Sequence, residues 1–343
     1  MESDRATSRR ATSLDVARRA GCSQAAVSLW TTGKYAGRIG PDLQARIAAA
    51  VSELGYRANR SARRLSGGTG KSISLFFPGA LCHYVGSILD GLARGLSREW
   101  QITIVDTRPG DRRHAPESII ASAVGAGTSA VLVAAPSRRE LLALERVQGP
   151  QIIVIDAPEA PPGAHLVTYD EARAMSQAVS HLRSLRHARI GHVHLATESF
   201  AMWHRRKLLI AQLVQSGAEV LCDEFSPTQP DALHHAQTLL GRWHHTGVTA
   251  VICDDERLAY VLMRAARALH IRIPHDFSLL TFSDSDAAAL LDPGLAAVRL
   301  PRAALGRAAA SLLMQADSDE SEMVKMIGTE YIPRPSVALA PKA

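Results

Sequence analysis

The stretch Ser13-Leu-Asp-Val-Ala-Arg-Arg-Ala-Gly-Cys-Ser-Gln-Ala-Ala-Val-Ser28 decides the N-terminal fold, because it reads as two short helices joined by a tight turn. The Ser13 hydroxyl is placed to cap the first free amides of the first helix. Gly21 supplies the turn, since glycine enters the left-handed backbone region without steric cost. Ser23 caps the second helix, whose N-terminus presents Gln24. The pattern predicts a helix-turn-helix with an exposed helix start that fits a DNA major groove.

A third helix is predicted after this pair. Gly40-Pro41 opens it, with proline at the tolerated first helical position, and Ile47, Val51 and Leu54 form its buried stripe. Three helices in this order indicate a DNA-binding head over residues 13–58. The candidate contact residues of this head are Ser13, Ser23, Gln24, Ala25 and Ser28.

The charge of the chain is concentrated at its N-terminal end. Residues 1–71 hold 13 Lys and Arg against 5 Asp and Glu, a net charge of +8, whereas the remainder holds 26 against 28, a net of −2. A basic head on a nearly neutral body is the pattern that phosphate binding produces. Arginines that only keep a surface soluble would be spread evenly, so the distribution favours nucleic-acid binding.

The next segment carries a family resemblance. Leu54-Gly-Tyr-Arg-Ala-Asn-Arg-Ser-Ala-Arg-Arg-Leu65 resembles the hinge of the LacI/GalR family of bacterial repressors, and Asp15-Val-Ala-Arg-Arg-Ala-Gly-Cys-Ser23 with Val27-Ser28 resembles that family's headpiece. The resemblance implies that the hinge helices of two subunits pair in the minor groove of operator DNA, where Leu65 opens a central base step. The hinge residues that it implicates are Asn59, Ala62, Arg63, Arg64 and Leu65.

Departures from the family pattern fall on the surface that would read the bases. Leu29 stands where a base-contacting arginine is common, and Ala58 replaces the usual proline before the hinge. Gln24 can still pair bidentately with adenine, and Ala25 can contact a thymine methyl group. The binding mode is therefore more predictable than the operator sequence.

A glycine-rich segment, Ser66-Gly-Gly-Thr-Gly-Lys-Ser72, separates head and body. It is similar to a phosphate-binding loop, but the first required glycine falls at Leu65 and no hydrophobic strand precedes it. We interpret it as a flexible linker, so that hinge and linker together occupy residues 59–71. Residues 1–12 are predicted to be a disordered tail.

The body alternates strand-like and helix-like segments. The predicted strands are 73–77, 101–106, 130–134, 152–156, 189–195, 219–225, 248–253 and 278–282, and the predicted helices are 85–96, 117–124, 139–147, 170–185, 203–216, 231–242 and 256–269. The short, uniform spacing implies an α/β fold of two doubly wound parallel-sheet lobes of periplasmic-binding-protein type, with the ligand cleft beyond the carboxyl ends of the strands. The first lobe is assigned to 72–165 and 298–325, the second to 166–297 and 326–337, and residues 338–343 to a tail.

The family resemblance extends to about Val337 and implies an effector site in the cleft. By position, Arg205 binds hydroxyls or a carboxylate of the ligand, and Glu256 falls where an aspartate accepts sugar hydroxyl bonds. Asp284 is a second acid at a strand end, and Tyr84 could stack on a sugar face. Ordinary alternatives remain open, because Arg205 would also suit a solvated helix face and Glu256 a helix start favoured by the dipole. Trp203 replaces a usual arginine nearby, so the pocket is unusual or degenerate.

Other chemistries lack supporting patterns. His192 and His194 share one face of a strand, but no third candidate ligand lies at a spacing typical of metal sites, so no metal is predicted. The four cysteines contain no CxxC pair, which favours reduced thiols. No apolar run or signal peptide is found, so we expect a soluble, cytoplasmic protein without membrane contact. No catalytic motif or cofactor is predicted.

Two classes of function remain. The first is an operator-specific repressor that acts as a homodimer and responds to a small polar effector, most simply a sugar. The second is an enzyme or a transport-type binding protein on the same two-lobed body, against which the basic head argues. A DNA-binding regulator with a degenerate or non-sugar pocket is a further alternative. The absence of leucine heptads after Ser336 predicts a dimer and not a tetramer.

Overall fold

The computed structural model describes residues 11–31, 35–54, 71–77, 83–107, 116–197, 199–315 and 322–342. The hinge residues Asn59, Ala62, Arg63, Arg64 and Leu65, and residues 1–10 of the predicted tail, lie outside the described residues. The chain divides into two compact units, Met1–Gly70 and Lys71–Ala343.

The N-terminal unit is helical where it is described. Its helices are α1 (Ser13–Ala20), α2 (Gln24–Thr31) and α3 (Pro41–Glu53). Gly21 adopts a left-handed conformation with φ of 63°, which confirms the predicted turn. Val16, Val27 and Ile47 are fully buried and join the three helices in one small core.

The cap of α1 differs from the prediction. Thr12, and not Ser13, is the N-cap: its hydroxyl accepts a hydrogen bond from the Asp15 amide, and the Asp15 carboxylate accepts one from the Thr12 amide at 2.8 Å. This reciprocal capping box satisfies two helix-end donors at once. Ser13 therefore lies inside the first turn of α1, where its hydroxyl accepts a hydrogen bond from Gln24 of α2.

The first lobe of the C-terminal unit contains a parallel sheet. Its strands in the described part of the chain are β1 (Ser72–Phe77), β2 (Gln101–Asp106), β3 (Ala130–Ala134), β4 (Gln151–Ile155), β5 (His165–Asp170) and β11 (Val324–Gly328). They lie in the order β11-β5-β4-β3-β1-β2, and every neighbouring pair is parallel. The helices of this lobe are α4 (His83–Gly95), α5 (Pro116–Gly125), α6 (Arg138–Leu144) and α12 (Arg302–Gln315).

The second lobe repeats this plan. Its described strands are β6 (Arg189–His194), β7 (Glu219–Glu224), β8 (Ala250–Cys253), β9 (Ser278–Phe282), β10 (Ala296–Arg299) and β12 (Glu330–Ile332), in the order β12-β10-β9-β8-β6-β7. Only β12 runs antiparallel to its neighbour among these strands. Its helices are α7 (Ala172–Ser184), α8 (Phe200–Gln215), α9 (Ala232–His245), α10 (Glu256–Ala268) and α11 (Asp286–Leu290). The predicted fold class of two parallel-sheet α/β lobes is confirmed.

Sheet membership moves the predicted boundary between the lobes. The division at residue 166 overlooked β5, which pairs with β4 and β11 in the first sheet. The same strand pairing assigns β11 wholly to the first lobe. β5 has six residues, and it lies between two parallel neighbours, one of which, β11, is far away in sequence. It was not among the strands predicted from local sequence.

The C-terminal residues assigned to a tail are held by the second lobe as far as residue 340. The Ala338 amide donates to the Ser278 hydroxyl at 3.0 Å, and the Ala340 amide donates to the Leu185 carbonyl at 2.9 Å. The buried His187 ring contacts the Ala338 carbonyl oxygen at 2.9 Å. These contacts pair polar groups that would otherwise be buried without partners. No helix within the described ranges is long and apolar enough to cross a bilayer.

Candidate functional site

The start of α2 presents the side chains that were predicted to read DNA. Gln24, Ala25 and Ser28 are exposed, and the Ser23 hydroxyl accepts a hydrogen bond from the Ala26 amide at 3.2 Å. The Gln24 side-chain amide donates to the Ser13 hydroxyl at 2.8 Å. This contact restricts the rotation of the Gln24 side chain, so its amide group is held in one orientation at the open end of the helix. Ser13 acts here on Gln24 and does not cap α1.

In the C-terminal unit, the carboxyl ends of the first-lobe strands meet helices from both lobes at a buried charge cluster. We call Tyr84, Asp156, Glu171 and Arg205 the cleft cluster. The Arg205 guanidinium donates through Nε to Glu171 Oε2 at 2.8 Å and through Nη2 to Glu171 Oε1 at 2.5 Å. The same Nη2 lies 3.3 Å from Asp156 Oδ1, and the Tyr84 hydroxyl donates to Asp156 Oδ2 at 3.1 Å. One arginine thus holds two carboxylates from different strand ends.

Burial makes these interactions strong. Arg205 is 4% exposed and Asp156 5% exposed. Although burial alone would lower the pKa of Arg205, the charges of Glu171 and Asp156 raise it further above its usual range. Burial, reinforced by the negative charge of Asp156, also raises the pKa of the Tyr84 hydroxyl well above its ordinary value. Tyr84 therefore remains a neutral donor at physiological pH.

A second arginine approaches the cleft cluster from α12. The Arg302 guanidinium donates through Nη2 to the Ser283 hydroxyl at 2.8 Å, and it lies 5.6 Å above the centre of the Tyr84 ring. Ser283 follows β9 in the second lobe, so this contact also joins the two lobes. The Tyr169 hydroxyl is buried without a hydrogen-bond partner in the described part of the chain. Arg302 and Tyr169 therefore bring further polar groups to the same inter-lobe region.

The two remaining predicted effector residues have other contacts. Glu256 is buried at the start of α10, and its Oε2 accepts a hydrogen bond from the Ser285 amide at 3.2 Å. Asp284 is held between two arginines, with Arg334 Nη1 at 2.6 Å and Arg299 Nε at 2.8 Å. Burial would raise the pKa of Asp284, but the two guanidinium groups lower it below its ordinary value. Asp284 thus remains charged as part of an ion-pair network.

The structure brings together Tyr84 and Arg205, which share Asp156 as a partner. It shows no direct bond from either to Glu256 or Asp284 among the described residues. Sequence reasoning did not single out Asp156 or Glu171. A signal existed for Asp156, because it is an acid directly after a buried parallel strand, where ligand sites of such sheets form. Ligand contact by the predicted residues stays a prediction.

The first turn of α8 docks on the first lobe. Ser199 forms an antiparallel bridge with Ser137, and the Phe200 amide donates to the Pro136 carbonyl at 2.9 Å. The Arg138 guanidinium lies 4.5 Å from the centre of the Phe200 ring, a cation–π distance. Trp203, one turn along, is partly exposed at this contact. The helix that carries Arg205 is therefore fixed to both lobes.

The histidines on β6 have partners other than a metal. His192 is fully buried and its Nε2 lies 2.8 Å from Asp254 Oδ1, whereas His194 Nδ1 lies 3.3 Å from Glu224 Oε2. Across the described ranges, no group of three or more His, Cys, Asp or Glu side chains has the geometry to hold a metal ion. His192 is therefore paired with Asp254, whereas His194, whose pKa is lowered by burial and by the charge of Arg206, accepts a hydrogen bond from Arg206.

The His192–Asp254 pair predicts a pH-dependent stability. Burial opposes protonation of His192, but its hydrogen bond to Asp254, the neighbouring Cys222 thiol and the charge of Asp254 raise its pKa from 6.5 to about 9. Because the folded-state pKa exceeds the unfolded value, this stabilisation is complete below pH 6.5 and is lost as the pH rises through 9. We expect the free energy of unfolding to fall by about 3 kcal/mol over that range, measured by urea denaturation.

The matched variant for this prediction is His192→Gln, which cannot gain the charge. Its free energy of unfolding should change much less over the same pH range. Parallel pH profiles for the wild type and His192→Gln would contradict the assignment.

Comparison with known proteins gives consistent matches. Residues 179–337 match the family model described as a periplasmic binding protein-like domain. The HTH-type transcriptional regulator reg1 of Streptomyces lividans is 28% identical, covering 95% of this chain and 96% of its own length. The maltose regulon regulatory protein MalI of Escherichia coli is 26% identical, covering 90% of this chain and 93% of its own. The chain is thus similar to full-length regulators from end to end.

Solved structures share the fold. The lac repressor dimer bound to operator and the anti-inducer ONPF has a TM-score of 0.82 at 17% identity, covering 96% of this chain and all of the other. The complex of the transcriptional regulator CelR with cellobiose has a TM-score of 0.66 at 22% identity, covering 95% of this chain and all of the other. At these identities the likeness establishes the architecture alone.

Proposed function

We propose that the chain is a transcriptional repressor of the LacI/GalR family, which binds a pseudo-palindromic operator as a homodimer under the control of a small polar effector. The operator would be bound by the N-terminal unit and the effector by the cleft between the lobes. Both assignments are supported by the chemistry of the described residues.

The observation that carries the DNA-binding proposal is the exposed start of α2. Gln24 and Ala25 occupy the first two positions of a helix that follows a left-handed glycine turn, and the Ser13 hydroxyl orients the Gln24 amide. Glutamine can pair with adenine in the major groove through both of its polar atoms, and alanine can contact a thymine methyl. The net charge of +8 on residues 1–71 supplies the attraction to phosphates.

Dimeric binding accounts for the remaining features of this proposal. Helix-turn-helix dimers bind two half-sites about one helical turn apart, so the operator mirrors the two-fold symmetry of the protein. The hinge sequence that ends at Leu65 resembles segments that insert into the minor groove between the half-sites. A basic helix-turn-helix head serves DNA binding, which an enzyme or a transport-type protein on the same two-lobed body would not need.

We predict that Gln24→Ala weakens binding to the selected operator by about 10-fold or more, because a bidentate pair contributes about 1–3 kcal/mol of base discrimination. The operator is first obtained by selecting duplexes from a random library with the wild-type protein. Affinity is then measured by fluorescence anisotropy for this duplex and for a scrambled one, over a series of salt concentrations. Wild-type affinity should fall steeply with salt as counterions are released.

The Gln215→Ala variant, an exposed glutamine on α8 in the C-terminal unit, serves as the control and should bind like the wild type. Gln24→Ala should retain the wild-type affinity for the scrambled duplex, since phosphate contacts carry no sequence information. Selected sites without two-fold symmetry, or an affinity that ignores salt, would contradict the proposal.

The effector assignment is supported by the chemistry of the cleft. Buried polar side chains converge there from strand ends of both lobes, which is the usual ligand position in open α/β sheets. Among the similar structures, CelR is a complex with cellobiose, and a sugar would suit the hydroxyl, carboxylate and guanidinium groups of this cleft. Control of DNA binding requires that the effector bind one arrangement of the lobes more tightly than the other.

A second candidate function is favoured by one observation. The donors of Arg205 that face the cleft cluster are already used by Glu171 and Asp156, which can hold the lobes together without a ligand. A regulator of this kind would bind DNA constitutively. The two candidates are distinguished by measuring operator affinity with and without sugars: a change in affinity supports effector control, and its absence over a broad panel supports the ligand-independent regulator.

A further inference from the structure

The two arginines of the cleft differ in how their charges are compensated. Arg205 contacts two carboxylates, at 2.5 and 3.3 Å. Arg302 contacts the Ser283 hydroxyl and the face of the Tyr84 ring, and no carboxylate of the described residues forms an ion pair with it within 4.0 Å. A guanidinium that is half-buried without a counterion is costly unless a ligand supplies one. Among the described residues of this cleft, Arg302 is therefore a cationic group without a carboxylate partner.

Arg302 also has an unused donor. Its Nε is shielded from solvent and has no hydrogen-bond partner in the described part of the chain. Nε and Nη2 lie on one edge of the guanidinium, and this edge is the one that binds carboxylate or phosphate oxygens in pairs. Nη2 presently donates to the Ser283 hydroxyl, a neutral partner that an anionic oxygen can replace or join. Of the two donors on this edge, Nε thus has no partner in the described part of the chain and Nη2 is bound to a neutral hydroxyl.

A second buried group indicates a ligand at the same place. The Tyr169 hydroxyl is enclosed and unpaired, and the charges of Asp156, Arg302 and Arg205 all act on it. Buried hydroxyls of native proteins are nearly always hydrogen-bonded, so one without a partner among the described residues is a candidate for contact with a ligand. A ligand oxygen near Arg302 would provide that partner. The two unpaired groups come from different elements, β5 and α12.

On this basis we propose that Arg302 is a specificity-determining residue that binds an anionic group of the effector, so that the effector class is a polyol carrying a carboxylate or a phosphate. This inference rests on the effector clause of the proposed function. The carboxylates of Asp156 and Glu171 would repel an anionic ligand, but they are paired with Arg205 and with the Tyr84 hydroxyl. The position of Arg302 at the first residue of α12 adds the favourable field of a helix N-terminus.

The test compares three probes that share a hexose frame and differ in charge: glucose, glucuronate and glucose 6-phosphate. Binding to the full-length protein is measured by titration calorimetry at probe concentrations up to about 1 mM, the weak end of specific affinity. We expect at least one of the two anions to bind about 10-fold or more tightly than glucose, because hydrogen bonds to an ionised group are roughly twice as strong as neutral ones. Which anion binds distinguishes a carboxylate site from a phosphate site.

Three variants locate the effect. Arg302→Gln should abolish the preference for the anion while leaving the thermal midpoint of the protein within a few degrees, and Arg302→Lys should retain part of the preference. Arg307→Gln, an exposed arginine on the same helix, is the matched control and should behave like the wild type.

The inference is overturned if neither anion binds more tightly than glucose, or if Arg302→Gln keeps the wild-type preference. Operator affinity measured on the same samples separates this failure from a failure of the proposed function. Normal operator binding with glucose preferred over both anions would contradict the anion assignment alone. A wild-type protein that does not bind a specific operator would contradict the proposed function.

Discussion

Replacing Arg205 with methionine is expected to lower the free energy of unfolding by about 3–5 kcal/mol, because it leaves two buried carboxylates without their shared counterion. Asp156 and Glu171 both depend on this guanidinium, and the Arg205 side chain is almost fully buried. Methionine has a similar length and preserves much of the packing. Urea denaturation of the full-length protein at neutral pH measures the loss.

The double variant Arg205→Met, Glu171→Gln should recover part of the lost stability, since it removes one of the two unpaired charges. Arg206→Met, the neighbouring position on α8, is the control: Arg206 contacts His194 and forms no ion pair with a carboxylate in the described part of the chain. We expect it to cost far less than Arg205→Met. Equal losses of unfolding free energy for Arg205→Met and Arg206→Met would show that the ion pairs of the cleft cluster do not contribute to stability.

This prediction also changes how a functional test of Arg205 must be interpreted. The family resemblance implied a side chain whose main partner is the effector, so that its removal would alter the ligand response alone. The contacts in the structure imply that its removal first weakens the protein. Effector titrations are therefore better interpreted on the compensated double variant, after its folding has been established.

Gly91→Ala should be strongly destabilising, with a loss of about 3 kcal/mol or more in the free energy of unfolding, at the upper end of what overpacking costs. Gly91 on α4 faces α12 so closely that a Cβ would overlap the Ala303 carbonyl oxygen, and a Cβ on Gly306 would overlap the Ile88 carbonyl oxygen. The atoms in the way belong to the backbone of two packed helices and cannot rotate aside. Thermal and urea denaturation measure the effect.

Gly86→Ala provides a control on the same helix. A Cβ at Gly86 meets nothing within 4 Å, and alanine is the better helix former by about 1 kcal/mol, so this variant should be neutral or slightly stabilising. Similar stabilities for Gly91→Ala and Gly86→Ala would mean that α4 and α12 can move apart freely, contrary to the close approach in the structure.

Several parts of the fold were predictable from local sequence. The turn at Gly21 and the second cap at Ser23 depend on residues within one helical turn of each other, and the structure confirms both. The first cap was misassigned by one residue, since Thr12 and Ser13 are both hydroxyl residues and only the backbone conformation of Thr12 distinguishes them. Strand β5 was missed, and its place in the sheet depends in part on β11, which is distant in sequence.

The site was predictable only in part, for the same reason. The resemblance singled out Arg205 and Tyr84, but their common partner Asp156 lies 49 residues before Arg205, and Glu171 lies 34 residues before it. No spacing rule links such positions. Ser283 and Arg302 had no pattern that separated them from other polar residues at strand and helix ends, and their contact depends on the two lobes meeting.

The amino-acid sequence by itself determined the helix-turn-helix, the basic N-terminal end and the alternation of strands and helices, because caps, glycine turns and hydrophobic periodicity act over a few residues. It also carried the family resemblance, which rests on ordered motifs. The tertiary structure alone decided which charges meet in the cleft. Parallel strands gather their carboxyl ends at one edge of a sheet, so that Asp156, Glu171 and Arg205 become partners. Arg302 forms no ion pair there with any residue that the structure describes. Electrostatic energy depends on these distances and on burial, which a linear sequence does not contain.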